Sequence, residues 1–167
     1  TPPPFFDNCS GTILSSTKAP GSTFNKGTTI VTYTARDAAG NTTSCSFNVT
    51  VVDNSPPILS ACPADRTVNA NGSCQAIVTW TSPNYSDNCS GTVLSSTKPS
   101  GSTFNKGTTV VTYTARDAAG NIATCSFNVT VVDNAPPTLS ACPANRTVSA
   151  NASCQAVVNW SPPTYSD

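Results

Sequence analysis

Eighty residues separate each early cysteine from a later one: Cys9 from Cys89, Cys45 from Cys125, Cys62 from Cys142 and Cys74 from Cys154. Laid over each other at that offset, residues 8–87 and 88–167 differ at roughly 17 positions, and most changes are mild, such as Ile13 to Val93, Ile30 to Val110 and Ile77 to Val157. A repeat of that period is one small domain. Such a unit buries too little apolar surface to be comfortable without cross-links. The chain must therefore fold as one small module, used again and again.

The unit is cut at both ends. Residues 1–7 (TPPPFFD) match 81–87 (TSPNYSD) and 161–167 (SPPTYSD). The natural joints are the Pro-stiffened DNSPP at Asp53–Pro57 and DNAPP at Asp133–Pro137. This predicts three pieces: residues 1–54 as the back of one repeat, 55–133 as a complete repeat and 134–167 as the front of the next. Neither partial repeat holds all the strands of a sandwich. The expectation is a window on a longer, filament-forming polymer of the same unit, with strand donation between separate copies as the other resolution.

Within the complete repeat the apolar pattern has period two. Arg66–Asn69 reads as a first strand, followed by an Asn71-Gly72 turn and the alternating run Cys74, Ala76, Val78, Trp80. Thr92–Thr97 is a third strand, and Ser102–Lys106 a short edge piece ended by Gly107. Val111, Tyr113 and Ala115 share one face of the next strand, and Phe127, Val129 and Val131 one face of the last. Short strands with turn signals between them predict an all-β antiparallel sandwich. The twice-used string YTARDAAGN (Tyr33–Asn41, Tyr113–Asn121) joins the two longest strands. Gly120 suits a left-handed turn there, and Asp117 can cap the loop.

Composition narrows the function. Eight basic residues balance eight acidic ones, so no surplus of positive charge exists to hold nucleic acid or an anionic membrane, and no apolar run reaches the length of a membrane span. Histidine and glutamate are absent. A Ser–His triad or a mixed-ligand zinc site is thus impossible, and paired carboxylates would need two Asp. No enzyme is expected. Eight cysteines without a CxxC pair read as a disulfide framework and an oxidising, extracellular location. Asn41, Asn48, Asn71, Asn84, Asn128, Asn145, Asn151 and Asn159 all stand in N-x-[ST] sequons, making them candidate glycosylation sites.

Cys62-Pro63, DNCSG at Asp87–Gly91, GSTFNKGTTVVTYTARDAAGN at Gly101–Asn121 and TCSFNVTVVD at Thr124–Asp133 together resemble the hyalin repeat (HYR) family. The resemblance covers essentially the whole chain. It implies tandem immunoglobulin-like β-sandwiches of secreted or cell-surface proteins, and it brings no catalytic residues.

Calcium is the one ligand the residues suggest. In such a sandwich Asp87 and Asn88, the turn residues Asp117 and Asn121, and the incoming linker residues Asp53 and Asn54 lie at one end, where oxygen ligands could converge. The bland alternative is that these Asp and Asn only cap turns, with no cofactor at all. Trp80, Trp160, Tyr113 and Phe127 are expected in the core, and Lys18, Lys26, Lys98 and Lys106 on a solvated face that blocks edges. For the cysteines, placement near one end of the sandwich suggests Cys89–Cys125 and Cys9–Cys45. The remaining pair is Cys62–Cys74 on the strength of the family resemblance, although strand rise puts them beyond disulfide reach unless Cys62-Pro63 folds back. Cys74–Cys142, across repeats, is the alternative.

Two functions fit: a structural array serving as fibre, stalk or adhesin shaft whose partners are copies of itself or continuing repeats of the same polypeptide, or a cell-adhesion module that binds a ligand or glycan and has calcium-stiffened domain junctions. Binding specificity usually lives on loops that vary. DNCSG, NKGTT and DAAGN are identical between the copies. That uniformity favours the scaffold.

Overall fold

The computed structural model describes residues 1–167 and is all-β, with thirteen strands. They are β1 (Ile13–Ser16), β2 (Gly27–Arg36), β3 (Thr42–Val51), β4 (Ile58–Leu59), β5 (Arg66–Asn69), β6 (Gln75–Val78), β7 (Tyr85–Ser86), β8 (Val93–Ser96), β9 (Ser102–Asn105), β10 (Gly107–Arg116), β11 (Ile122–Val132), β12 (Thr138–Leu139) and β13 (Tyr165–Ser166). The sheet orders are β1-β2-β3, β5-β11-β10-β8, β4-β7, β6-β9 and β12-β13. Two compact units divide the chain.

The first unit comprises Thr1–Ala61, Pro83–Ser95 and Tyr113–Cys125. Its largest element is the antiparallel sheet β1-β2-β3, in which β2 and β3 pair along their whole length from Gly27↔Val51 to Arg36↔Thr42. β-Branched Thr, Val and Ile fill both strands, which suits a pleated, half-exposed surface. β4 and β7 pair antiparallel, Ile58↔Ser86 and Leu59↔Tyr85.

The second unit comprises Cys62–Ser82, Ser96–Thr112 and Ser126–Asp167. Its apolar centre is Trp80, packed edge-on against Phe104 (5.9 Å between ring centroids) and Phe127 (5.1 Å). Val78, Val111, Val129 and Val131 are buried with them. These are the alternate residues the period-two pattern marks as inward. Trp80 ends the alternating run and bridges from the β6-β9 pair to the face of β11, so the two sheets of the sandwich meet on its ring.

Two details differ from the sequence reading. First, β5 runs parallel to β11, with Arg66 opposite Val129 and Asn69 opposite Val132, so the sandwich is antiparallel except at this edge. Second, β5 and β6 form no hairpin. β6 pairs instead with β9, Gln75↔Asn105 to Val78↔Ser102. The Asn71-Gly72 turn is a crossing between sheets: Cys74 N donates to the Asn71 carbonyl at 2.9 Å, and Asn71 Oδ1 accepts from the backbone N–H of Ser73 and Gln75. Cys74 itself takes a left-handed φ of 56°, which breaks the alternation that a hairpin would need.

The repeat supplies an internal control. Residues 146–149 and 155–158 nearly repeat the sequences of β5 and β6, yet they form no strand. In the complete repeat those strands exist because β11 and β9 hydrogen-bond to them. Trp80 is 8% exposed, whereas Trp160 is 63% exposed. The strand propensity is the same; the partner decides.

Candidate functional site

The loops after β7 and β10, together with the linker after β3, meet in the first unit. The turn after β10 is set by local chemistry. Asp117 Oδ1 accepts from the backbone N–H of Ala119 (2.9 Å) and Asn121 (2.7 Å), and Gly120 supplies the left-handed φ of 98°. Gly91, also left-handed, lets the DNCSG loop approach, since a Cβ there would stand 3.1 Å from the Cβ of Ala118. The copy at Asp37–Asn41 is built alike, with Asn41 N and Nδ2 each 2.7 Å from the Asp37 carboxylate.

The complete repeat adds a clamp. Asn121 Nδ2 donates to Asp117 Oδ2 (2.7 Å), to the Asp53 carbonyl (3.0 Å) and to the Ser55 carbonyl (3.3 Å). Thus DAAGN at Asp117–Asn121 is first a hairpin turn, and its last residue grips the linker.

Three carboxylates gather beside this clamp. Ligand atoms of Asp53, Asp87 and Asp117 all lie within 4.8 Å of one another, and Asp53 and Asp117 are buried. Asp53 Oδ2 is buried and accepts no hydrogen bond; Lys26 Nζ stands 3.6 Å from it. The side chains of Asn88 and Asn121 turn amide N–H groups, not oxygens, toward the cluster, Asn88 Nδ2 standing 3.4 Å from Asp53 Oδ1. Asn54 is exposed. The structure therefore brings together the three Asp of the suggested calcium set and gives two of its Asn the role of donors.

The electrostatics follow. Asp53 is held below the ordinary carboxylate value, chiefly by the Cys89 thiol beside it and also by Ser55, Asn88 and Lys26. The same contact pushes the Cys89 thiol up. Burial pushes Asp117 up, but the Asn121 side-chain and backbone hydrogen bonds outweigh it and leave the group lowered. Lys26 is thus more than a solvated edge residue. Its pairing was legible as a joint feature of the repeats: Lys26 with Asp53 recurs as Lys106 with Asp133, 3.1 Å apart.

The cysteines correct the sequence reading. Cys62 and Cys125 are disulfide-bonded, while Cys9, Cys45, Cys74, Cys89, Cys142 and Cys154 are free thiols. Cys89–Cys125 and Cys62–Cys74 are therefore not the pairs, and neither Cys9–Cys45 nor Cys74–Cys142 forms. The parallel edge gives the reason. Its register sets Arg66 opposite Val129, and the same register carried four residues back sets Cys62 level with Cys125. Beside them, Asn128 N and Nδ2 donate to the Asp65 carboxylate at 2.7 and 3.1 Å.

That contact also engages one sequon, for Asn128 is half-buried with its amide bound. Asn71 and Asn151 use their side-chain oxygens in turns, and Asn41 bonds Asp37. Asn48, Asn84, Asn145 and Asn159 are exposed. No helix is long and apolar enough to cross a membrane.

Comparison with known proteins agrees with this architecture. The HYR domain family matches at residues 1–51 and 52–131. Hyalin of Strongylocentrotus purpuratus is 41% identical over 165 residues, covering 93% of this chain and 14% of that protein. Hyalin of Lytechinus variegatus is 41% identical over 143 residues, 80% of this chain and 27% of that protein. A sushi, von Willebrand factor type A, EGF and pentraxin domain-containing protein 1 of Rattus norvegicus is 35% identical over 109 residues, 65% of this chain and 3% of that protein. The chain thus spans only a small part of these relatives' length. With two matched segments, an all-β fold and the DNCSG and DAAGN loops at one end of the sandwich, this chain belongs to the HYR domain family.

Proposed function

We propose that these residues are a stretch of an extracellular structural array, a fibre, stalk or adhesin shaft built from consecutive repeats, with a non-catalytic role. The observation that carries this reading is the clamp at the linker. Asn121 bonds the backbone of Asp53 and Ser55, so loop atoms that a binding module would present to a ligand are spent on fixing the chain between repeats. The invariance of DNCSG, NKGTT and DAAGN supports the same reading. Its partners are further repeats of the same polypeptide. A denaturing gel of the native material under reducing conditions tests this. A polypeptide far larger than 17.1 kDa supports the array; a band near that mass contradicts it and favours strand donation between short subunits.

A second reading has one specific observation behind it. The buried Asp53 Oδ2 without a hydrogen bond, close to two other carboxylates, is suited to a hard cation such as Ca²⁺. Calcium there would stiffen the linker and leave the domain cores untouched, and it would have to displace Lys26 from Asp53. Terbium luminescence in the intact chain tests it. Saturable binding that Asp117→Asn abolishes supports the site; no binding at millimolar metal removes it.

A further inference from the structure

Cys74 and Cys89 lie within one repeat, but their surroundings are halves of a single environment. Lys106 N donates to the Cys74 carbonyl at 2.9 Å, and Lys106 Nζ reaches Asp133 at 3.1 Å. Eighty residues earlier, Lys26 Nζ reaches Asp53 at 3.6 Å. There Asn88 Nδ2 lies between Asp53 Oδ1 and Cys89 Sγ, at 3.4 and 3.6 Å. A Lys–Asp pair therefore stands at both places: beside Cys74 through its Lys, and beside Cys89 through its Asp. Asp167, the repeat of Asp87, also lies close enough to Lys106 to raise it, as does Cys74. Were the repeat to continue at the same period, a cysteine equivalent to Cys89 would stand two residues beyond Asp167.

From this superposition we infer that Cys74 forms a disulfide with the cysteine at the Cys89 position of the following repeat, stapling each linker covalently. Cys62–Cys125 is then the bond within a repeat, and Cys74 the bond between repeats. The left-handed φ of Cys74, kept at Cys154 (58°), is unusual for a residue other than Gly or Asn. It aims a cysteine at the tip of the sheet crossing, where a neighbouring repeat is the available partner. Closure needs an external disulfide donor such as oxidised glutathione. The donor S–S bond breaks, the two protein thiols give up two protons and two electrons, one protein S–S bond forms and two glutathione thiols leave.

The inference rests on the reading of the chain as consecutive repeats, and the test separates the two. Two secreted chains are alkylated, cleaved before aspartate and mapped by mass spectrometry without reduction. One is the 167-residue chain; the other repeats residues 8–87 once after Asp167 and carries Cys9→Ser. Cleavage before Asp65, Asp87 and Asp117 puts Cys74 and Cys89 on different fragments, and Ile13 with Ala19-Pro20 marks the appended copy. In the 167-residue chain Cys74 and Cys89 are both expected to be alkylated, with Cys62 linked to Cys125 as the sign of correct folding. In the longer chain Cys74 alkylation should fall at least tenfold, and its fragment should be linked to the appended copy. A Cys74–Cys89 link in either chain, or Cys74 still fully alkylated in the longer one while Cys62–Cys125 has formed, overturns the staple. The mass of the reduced native polypeptide bears separately on the array.

Discussion

Asn121 Nδ2 lies 3.0 Å from the carbonyl oxygen of Asp53, so the hairpin turn of the complete repeat holds the linker that enters it. Asn41 occupies the same place in the preceding copy, and its amide bonds only the Asp37 carboxylate of its own turn. Within these residues the same string closes a turn at both places, and at Asn121 it also clamps the linker.

Replacing Asn121 with Ala should cost about 1–3 kcal/mol, because the carbonyls of Asp53 and Ser55 and the Asp117 carboxylate lose their shared donor. Asn41→Ala should cost clearly less. Urea unfolding of the two variants compares them; equal losses would mean the linker bonds add nothing.

Phe47 and Phe127 are the same residue of the same strand in two copies, but Phe47 is 50% exposed and Phe127 only 3%. Phe127 packs on Trp80, while Phe47 stacks on Tyr33 at 6.5 Å, with no tryptophan over it. In the 167-residue chain alone, Phe127→Ala should cost about 3–5 kcal/mol and Phe47→Ala less than about 1. Thermal melts of both variants would show it. Similar losses would mean that burial at this position is equal in solution.

The inward faces of β10 and β11 were legible because alternation leaves little choice of register: Val111, Tyr113, Ala115, Phe127, Val129 and Val131 are all buried. The turn was legible too, since Asp and Gly at those offsets have few other uses. The parallel edge was not. Arg66–Asn69 is four residues long, and its pattern says which face is inward without saying which strand lies beside it. The disulfide depended on that neighbour, so the pairing error followed from the topology error. Loop placement brought the three Asp together, whereas the Asn121 amide is oriented by the backbone carbonyls of Asp53 and Ser55, and the Asn88 amide by its approach to Asp53 Oδ1 and Cys89 Sγ, which no side-chain pattern reveals.

Stability should fall at both pH extremes. Asp37, Asp53, Asp65, Asp117 and Asp133 are all held below the ordinary 3.8, so their contribution is present above about pH 4 and is lost as pH falls through the lowered values. Cys89 is raised above 9.0 by the Asp53 carboxylate, so its contribution is present below that value and is lost as pH rises through the raised one. Melting temperature against pH should show a plateau from about 4 to 9. In the 167-residue chain, where Cys89 is a thiol, Cys89→Ser should flatten part of the alkaline limb, leaving what the Lys106–Asp133 pair contributes. A curve without an acid limb would contradict these assignments.

Breaking the Cys62–Cys125 bond should remove about 2–5 kcal/mol, since it closes a long loop around a thin core. Melting with and without reductant at matched pH measures this. The paired Cys62→Ser, Cys125→Ser variant should reproduce the reduced protein, and an unchanged melt would show that the sandwich stands without its cross-link.

The most direct measurement of the array is an electron micrograph of the native material with its contour length. Strands of ten residues, as in β10, set a rise of about 30–40 Å per repeat at strand spacing. A rod or fibre with that axial period is expected, lengthening in proportion to the number of repeats. Compact particles without an axial period, from a polypeptide carrying many repeats, would contradict it.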